Sequence, residues 1–247
     1  MPGTPSGLEL KMVKGFVPTM GALHAGHASL ITAAAKACDE VVVSIFVNPL
    51  QFNDKVDLAK YPRTPEHDKE LALNAGATKV WFPTYEEIYP GDIKLIEPGP
   101  IGELYEGASR PGHFAGMLTV VRRLFDLVKP DKAFFGEKDF QQLFLIKQMA
   151  KDIEIIGLPT VREADGLAMS SRNVRLSPED RQAALVIYRA LKSGNLDLSS
   201  EPRFKTDYAV VIDEDTFQIA QPETKHKRAL IAGTIGGVRL IDNMVIA

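Results

Sequence analysis

Residues 16–27 read Phe16-Val-Pro-Thr-Met-Gly-Ala-Leu-His-Ala-Gly-His27. Ahead of them, Met12-Val13-Lys14-Gly15-Phe16-Val17 has the pattern of a short strand. Behind them, Ala28 to Cys38 reads as a helix with Leu30, Ile31, Ala34 and Cys38 on one side. Two histidines with a glycine between them therefore sit where a strand gives way to a helix. The first amides of a helix lack intrahelical partners, and the peptide dipole there favours anions. Gly26 lets a ligand approach the backbone closely. His24 and His27 are three apart, so they face one way if the turn continues the helix. Each imidazole can donate to a phosphate oxygen, which makes this turn a nucleotide-phosphate site in outline. A His-x-x-His pair also suits a metal, but two ligands do not complete a zinc site, and no Cys or acidic partner stands at ligand spacing. A plain helix entry with solvated histidines competes on even terms until the rest of the chain is read.

Outward from this turn, strand and helix patterns alternate. Val41-Val-Val-Ser-Ile-Phe-Val47 is a nearly continuous β-branched run, as a strand buried on both faces of a parallel sheet requires. A polar, proline-punctuated loop follows from Asn48 to Pro65. Glu66 to Ala75 reads as a helix closed by Gly76, and Thr78 to Phe82 as a strand ended by Pro83. Between Gly112 and Pro130, Phe114, Leu118, Val121, Phe125 and Val128 form one helical stripe. Lys132 to Gly136 reads as a strand and Asp139 to Ala150 as a helix; Ile153–Ile156 and Thr160–Arg162 read as short strands. This βαβα order predicts an α/β fold: a Rossmann-like, doubly wound parallel sheet with ligands at the carboxyl ends of its strands. After Arg175 the texture changes. Ser177 and Pro178 make a helix start, Gly194 a stop, and three short strands follow at Tyr208–Ile212, Ala229–Ala232 and Gly237–Ile241. The expectation is a large domain at 1–175 and a small C-terminal α+β domain at 176–247.

The 247 residues carry a net charge of −3, which gives no basic excess for nucleic acid. No apolar run reaches the length of a membrane span. The N-terminal stretch lacks the apolar core of a signal peptide, so a cytoplasmic protein is expected. Cys38, the single cysteine, reads as a small core residue.

Four further stretches fall where such a sheet places ligand loops: Asn48-Pro-Leu-Gln51, Gly136-Glu-Lys138-Asp139 with Gln142, Arg110-Pro-Gly-His113, and Met169-Ser170-Ser171-Arg172-Asn173. Each alone is as well explained as a cap, a turn former or a solvated helix start. Together they set imidazoles, a lysine, hydroxyls, an arginine and two amides around one crevice, which suits a triphosphate and a small polar acid.

Pro18-Thr-Met-Gly-Ala-Leu-His-Ala-Gly-His27 closely resembles the His-x-Gly-His signature of the pantoate–β-alanine ligases. So do Ser44 to Phe52, Tyr61-Pro-Arg-Thr-Pro65, Phe134 to Asp139 with Gln141-Gln142, Arg162 to Asn173, and Arg239-Leu-Ile-Asp-Asn243. The resemblance runs from about Gly15 to Asn243 and places the chain in the nucleotidylyltransferase superfamily. It implies an ATP site lined by Met20, Gly21, Ala22, Leu23, His24, Ala25, Gly26 and His27, with His24 and His27 at the phosphates and His27 as proton donor. It implies further ATP contacts from Gly136, Glu137, Lys138 at phosphate, Asp139 at ribose and Val161 at adenine, and from a phosphate loop of Met169, Ser170, Ser171 and Arg172. His27, His24 and Lys138 are the expected catalytic residues, and Gln51 and Gln142 the pantoate ligands. The substrates implied are ATP with Mg²⁺, pantoate and β-alanine, and the implied assembly is a homodimer. Metal ligands stay open, because His67 interrupts the acidic stretch Glu66-His67-Asp68. Related chains carry a further helix between Arg181 and Tyr208. Here Asn195 to Thr206 is mostly polar, so the small domain is expected to be the loosely packed part.

Overall fold

The computed structural model describes residues 12–53 and 55–246; the N-terminal stretch behind the leader expectation lies outside them. Five parallel strands form the central sheet: β1 (Lys14–Thr19), β2 (Glu40–Ile45), β3 (Lys79–Trp81), β4 (Lys132–Gly136) and β5 (Glu154–Leu158), in the order β3-β2-β1-β4-β5. The helices are α1 (Ala25–Ala37), α2 (Lys55–Lys60), α3 (Pro65–Asn74), α4 (Tyr85–Ile88), α5 (Glu106–Ser109), α6 (His113–Val128), α7 (Phe140–Met149) and α8 (Pro178–Ser193).

Alternation along the strands builds two cores. Phe16, Val42 and Phe135 point to the face covered by α6 and α7, while Val17, Val41, Val43 and Phe134 point to the face covered by α1 and α3. Sequential side chains of a strand face opposite ways, so a strand apolar at every position must be covered twice. The expected doubly wound sheet is therefore present.

A second sheet is antiparallel: β6 (Lys205–Asp213), β7 (Lys227–Ile235) and β8 (Val238–Ile246), in that order. Each of these strands is nine residues long, longer than the sequence pattern suggests. One face packs under α8, whose Ser177 cap, Pro178 start and left-handed Gly194 stop are as read from the sequence. The other face brings Ile212, Phe217 and Leu230 against Phe140 and Phe144 of α7. The polar stretch after α8 makes up its own burial. Leu198 and Phe204 are 6% and 5% exposed against α8 and the sheet, with Leu196 beside them. Three spaced apolar residues have no helical period, so the sequence pattern hides them.

Two other expectations change. Thr160–Arg162 is not a strand: Arg162 makes one isolated antiparallel bridge to Ala168. The chain folds back at Asp165-Gly166 instead, with Glu163 N–H donating to Leu167 O at 2.9 Å and Met169 N–H to Val161 O at 3.0 Å. The loop Asn48–Pro65 contains a 3₁₀ turn at Pro49–Gln51 and the short α2. Both are too short to show periodicity.

Helix α6 and that 3₁₀ turn touch through Gly116. A Cβ built there would lie 2.2 Å from Leu50 O and 2.9 Å from Gln51 N. The obstruction is backbone and cannot swing aside. Gly116→Ala should therefore cost about 1–3 kcal/mol, the usual scale of overpacking, and should displace the Gln51 turn. Chemical denaturation of the variant checks this; an unchanged midpoint would show that the turn yields freely.

Candidate active site

The strand β1 ends between β2 and β4, and the chain turns there into α1. Asp68, on α3 and 1% exposed, holds that turn. Its carboxylate accepts from Ala22 N–H at 3.0 Å, Leu23 N–H at 2.7 Å and Thr64 Oγ1 at 3.0 Å. Ala22 is thereby kept at φ +50°, a conformation that residues with a side chain rarely adopt.

His24 caps α1 and His27 lies in its first turn. Gly26 N–H donates to His24 Nδ1 at 3.1 Å, and His24 N–H donates to His27 Nδ1 at 3.2 Å. The first-turn amides expected to greet an anion are thus partly taken by the imidazoles. Because each Nδ1 accepts, each ring's proton sits on Nε2, and Nε2–H is the donor left for a ligand. The rings lie 4.2 Å apart between centroids. Gly26 is required by the His24 ring: a Cβ would come within 2.9 Å of His24 Cε1.

Both rings line a cavity of about 240 Å³. Lys138, Arg110, Ser170, Ser171 and Arg172 line it with cationic and hydroxyl groups, and Pro159, Thr160 and Val161 also form part of its wall. Met20, Gly136, Asp139, Met169, Gln51 and Gln142 also line it. A neighbouring cavity of about 350 Å³ shares Arg110, Lys138 and Arg172 and runs on to Arg175 and Arg239.

Five expected ATP residues do not line the cavity. Gly21 is buried in the turn, Ala22 is tied to Asp68, Leu23 is 4% exposed in the core under α1, and Ala25 faces outward. Glu137 turns its carboxylate to Arg228 at 3.2 Å. The two glutamines of Gln141-Gln142 separate: Gln141 is buried and braces Glu106, Ile101 and Leu104, whereas Gln142 reaches the cavity.

Gln51 is held from several sides. Its Nε2 donates to Met20 Sδ at 2.8 Å and its Oε1 accepts from Asn48 Nδ2 at 3.2 Å. Tyr89 OH fixes Asn48 Oδ1 at 2.9 Å. His113 Nδ1 lies 2.8 Å from the Gln51 carbonyl oxygen, which makes Nδ1 the protonated nitrogen; Nε2 then accepts from Arg110 at 3.1 Å.

The charges follow from burial and neighbours. Burial, then His24 and Lys138, pull His27 from 6.5 down to about 3. Burial and Arg110 pull His113 down to about 4. Burial and Lys138 also lower His24. Burial opposes ionisation of Asp139, yet Lys138, Arg110 and Arg172 hold its carboxylate below the usual range. His27 is therefore a neutral hydrogen-bond donor in the free protein rather than a charged acid. An arriving phosphate raises its proton affinity, since an adjacent anion favours imidazolium.

Several supporting residues have no sequence signal. Asp68 reads as an ordinary acid in a helix first turn. Glu163 takes Arg181 at 2.9 Å and Asn173 Nδ2 at 2.9 Å, which pins the far end of the Ser170–Arg172 loop. Glu106, 6% exposed, joins the large sheet's loops to the small sheet through Arg239. Among the described residues no three His, Cys, Asp or Glu side chains group as a metal site. Asp68, the acid beside His67, is committed to Ala22, Leu23 and Thr64.

A pantoate–β-alanine ligase family model matches residues 8–245. The chain belongs to that family. Its activity is the family's, the joining of pantoate to β-alanine. A pantothenate synthetase of Moorella thermoacetica is 45% identical over 94% of this chain and 90% of its own length. One from Caldicellulosiruptor bescii is 46% identical over 94% and 90%. The crystal structure of a pantothenate synthetase from Thermus thermophilus superposes with a TM-score of 0.87 at 44% identity, covering 94% of this chain and 92% of that one. A pantoate–β-alanine ligase from Francisella tularensis, solved with beta-gamma ATP and β-alanine, gives 0.83 at 40% identity over 96% and 91%.

The electrostatics set an order of histidine titration. His226 is exposed and hydrogen-bonded to Asp215 at 2.8 Å, which raises its proton affinity above 6.5. Histidine ring NMR on the free protein should find His226 titrating above pH 6.5, His113 near about 4 and His27 near about 3. The unfolded chain takes up protons at both buried rings near pH 6.5 and the folded one only lower. Stability should thus be full above pH 6.5 and fall as the pH drops toward 4. A His27 midpoint near 6.5 would contradict the neutral, desolvated ring.

Proposed function

We propose that this ligase works through a pantoyl adenylate: pantoate carboxylate attacks the α-phosphate of ATP and pyrophosphate leaves. The β-alanine amine then attacks the activated carbonyl, and AMP departs. The observation that carries this reading is the placement of two imidazoles, a lysine and a hydroxyl-rich loop around one cavity that also holds two neutral amides.

Negative charge grows on phosphate oxygens in the first step, so fixed donors and cations are what the site must supply. His24 and His27 offer Nε2–H, Lys138 and Arg172 offer charge, and Ser170 and Ser171 offer hydroxyls. Asp139 takes the ribose, and Val161 meets adenine along the wall formed with Pro159. Gly136, Met20, Gly26 and Met169 shape the cavity. Gly21, Ala22, Leu23, Ala25 and Glu137 act as its frame. Gln51 and Gln142 hold pantoate as neutral amides, which bind a hydroxy acid without quenching its attacking carboxylate. Mg²⁺ enters on the triphosphate, because that ion prefers phosphate oxygens and water to an all-protein cage.

The same reading divides the chain into a large domain at 1–175, which holds the cavity, and a small one at 176–247. It also has the protein act in the cytoplasm, as the sequence leads one to expect, and as a homodimer, as the resemblance implies. Among the described residues no helix is long and apolar enough to cross a membrane.

Mixing ATP, Mg²⁺, pantoate and β-alanine should release AMP and pyrophosphate, and omission of any one should stop AMP release. ADP and phosphate as products would rule out the adenylate. His27→Ala and Lys138→Ala should each slow adenylate formation by about 10²-fold or more, the scale of losing one preorganised donor, while His226→Ala stays near wild type. In Gln51→Glu the pantoate KM should rise well beyond the ATP KM, since a carboxylate beside the substrate's own repels it. Equal changes in the two constants would leave Gln51 as a mere loop brace.

A further inference from the structure

The middle of strand β8 carries two buried polar residues, Asp242 and Asn243, that do not line the cavity assigned to ATP. Asn243 is 3% exposed. Its Nδ2 donates to the carbonyl oxygens of both Glu137 and Lys138, each at 2.8 Å. Its Oδ1 accepts from Arg228 Nη1 at 2.6 Å. Arg228 is 5% exposed, lies 4.1 Å over the Phe140 ring, and also donates to Glu137 Oε2. A cation at Oδ1 fixes which way the amide points, so its NH₂ must face the two carbonyls.

Those two carbonyls belong to the peptide planes on either side of the Lys138 Cα. Peptide units are planar, so fixing both planes fixes φ and ψ at Lys138 and with them the direction in which its side chain leaves the backbone. The turn Glu137–Asp139 has no side-chain cap of its own. The neighbouring Asp242 does the like for the other wall: Arg162, next to Val161, pairs with it at 2.6 and 3.0 Å.

We propose that Asn243, oriented by Arg228, is a positioning residue that aims Lys138 from the small sheet into the phosphate end of the cavity. It touches no substrate and acts through the lysine's backbone. The inference rests on the reading that Lys138 meets the triphosphate. The small sheet is on this account a fixed part of the adenylating site.

The test is pantoate-dependent exchange of pyrophosphate into ATP. Asn243→Asp keeps the size of the side chain and still accepts from Arg228, but donates to neither carbonyl. Its kcat/KM for ATP should fall about 10-fold or more, toward the 10²-fold that a misplacement of about 1 Å can cost. The β-alanine KM, measured on preformed pantoyl adenylate, should not move. The double variant Asn243→Asp/Lys138→Ala should be no slower than Lys138→Ala alone, because Asn243 acts through Lys138. If the aspartate variant does not fold, Asn243→Ser, which retains one donor, is read in the same cycle. Additive losses in the double variant, or full exchange in Asn243→Asp beside a crippled Lys138→Ala, would overturn the proposal. Full exchange in Lys138→Ala would instead overturn the placement of Lys138 at the phosphates.

Discussion

β1 is hydrogen-bonded on both sides, to β2 from Lys14 through Thr19 and to β4 at Gly15 and Phe16, and the site depends on that double pairing. A strand with two parallel neighbours has both its faces covered by the crossover helices. Its carboxyl end is then the one place where the chain can open toward a ligand. The turn after β1 carries the histidines, the turn after β2 carries Gln51, and the turn after β4 carries Lys138. Three strands side by side therefore put a proton-bearing ring, a neutral amide and a cation at one edge without any contact in sequence.

Charge is then arranged so that the cavity binds anions while its imidazoles stay neutral. Burial and the nearby Lys138 hold His24 and His27 neutral, so the free site does not stack more positive charge than the lysine and arginines supply. Like charges in one crevice would repel before ATP arrives and would weaken the fold around them. Neutral donors with their protons fixed on Nε2 avoid that cost and remain available to developing phosphate charge.

The two sheets are joined by ion pairs and an aromatic patch. Arg239 grips Glu106 at 2.7 and 2.8 Å, and Tyr208 OH donates to the same carboxylate at 2.9 Å. Burial opposes ionisation of Glu106, but Arg239 and Tyr208 hold it below the usual carboxylate range. Such buried pairs add little to net stability compared with apolar packing, yet breaking one costs about 3–5 kcal/mol. Their effect is to fix the register of one unit on the other. Here that register matters, because Arg110 follows Glu106 by four residues and lines the cavity.

The sequence by itself determined the parallel sheet, the long apolar α6, the capped and glycine-stopped α8, and the membership of His24, His27, Lys138, Gln51 and the Ser170–Arg172 loop in one crevice. These are local signals: β-branched runs, helical stripes, caps, and motifs whose residues lie close together in the chain. Tertiary structure decided the rest. The sequence marks Gln142 for the crevice, but not that Gln141 beside it turns inward to brace a loop, since only the packed helix gives each side chain its direction. Nor does it distinguish Asp68, Glu106, Glu163 or Arg228 from solvated charges, because each has a deciding partner ten or more residues away, for Glu106 more than a hundred. The burial of Leu198 and Phe204 was equally hidden, in a loop without period. In each case the missing information is a long-range contact, which only the folded chain creates.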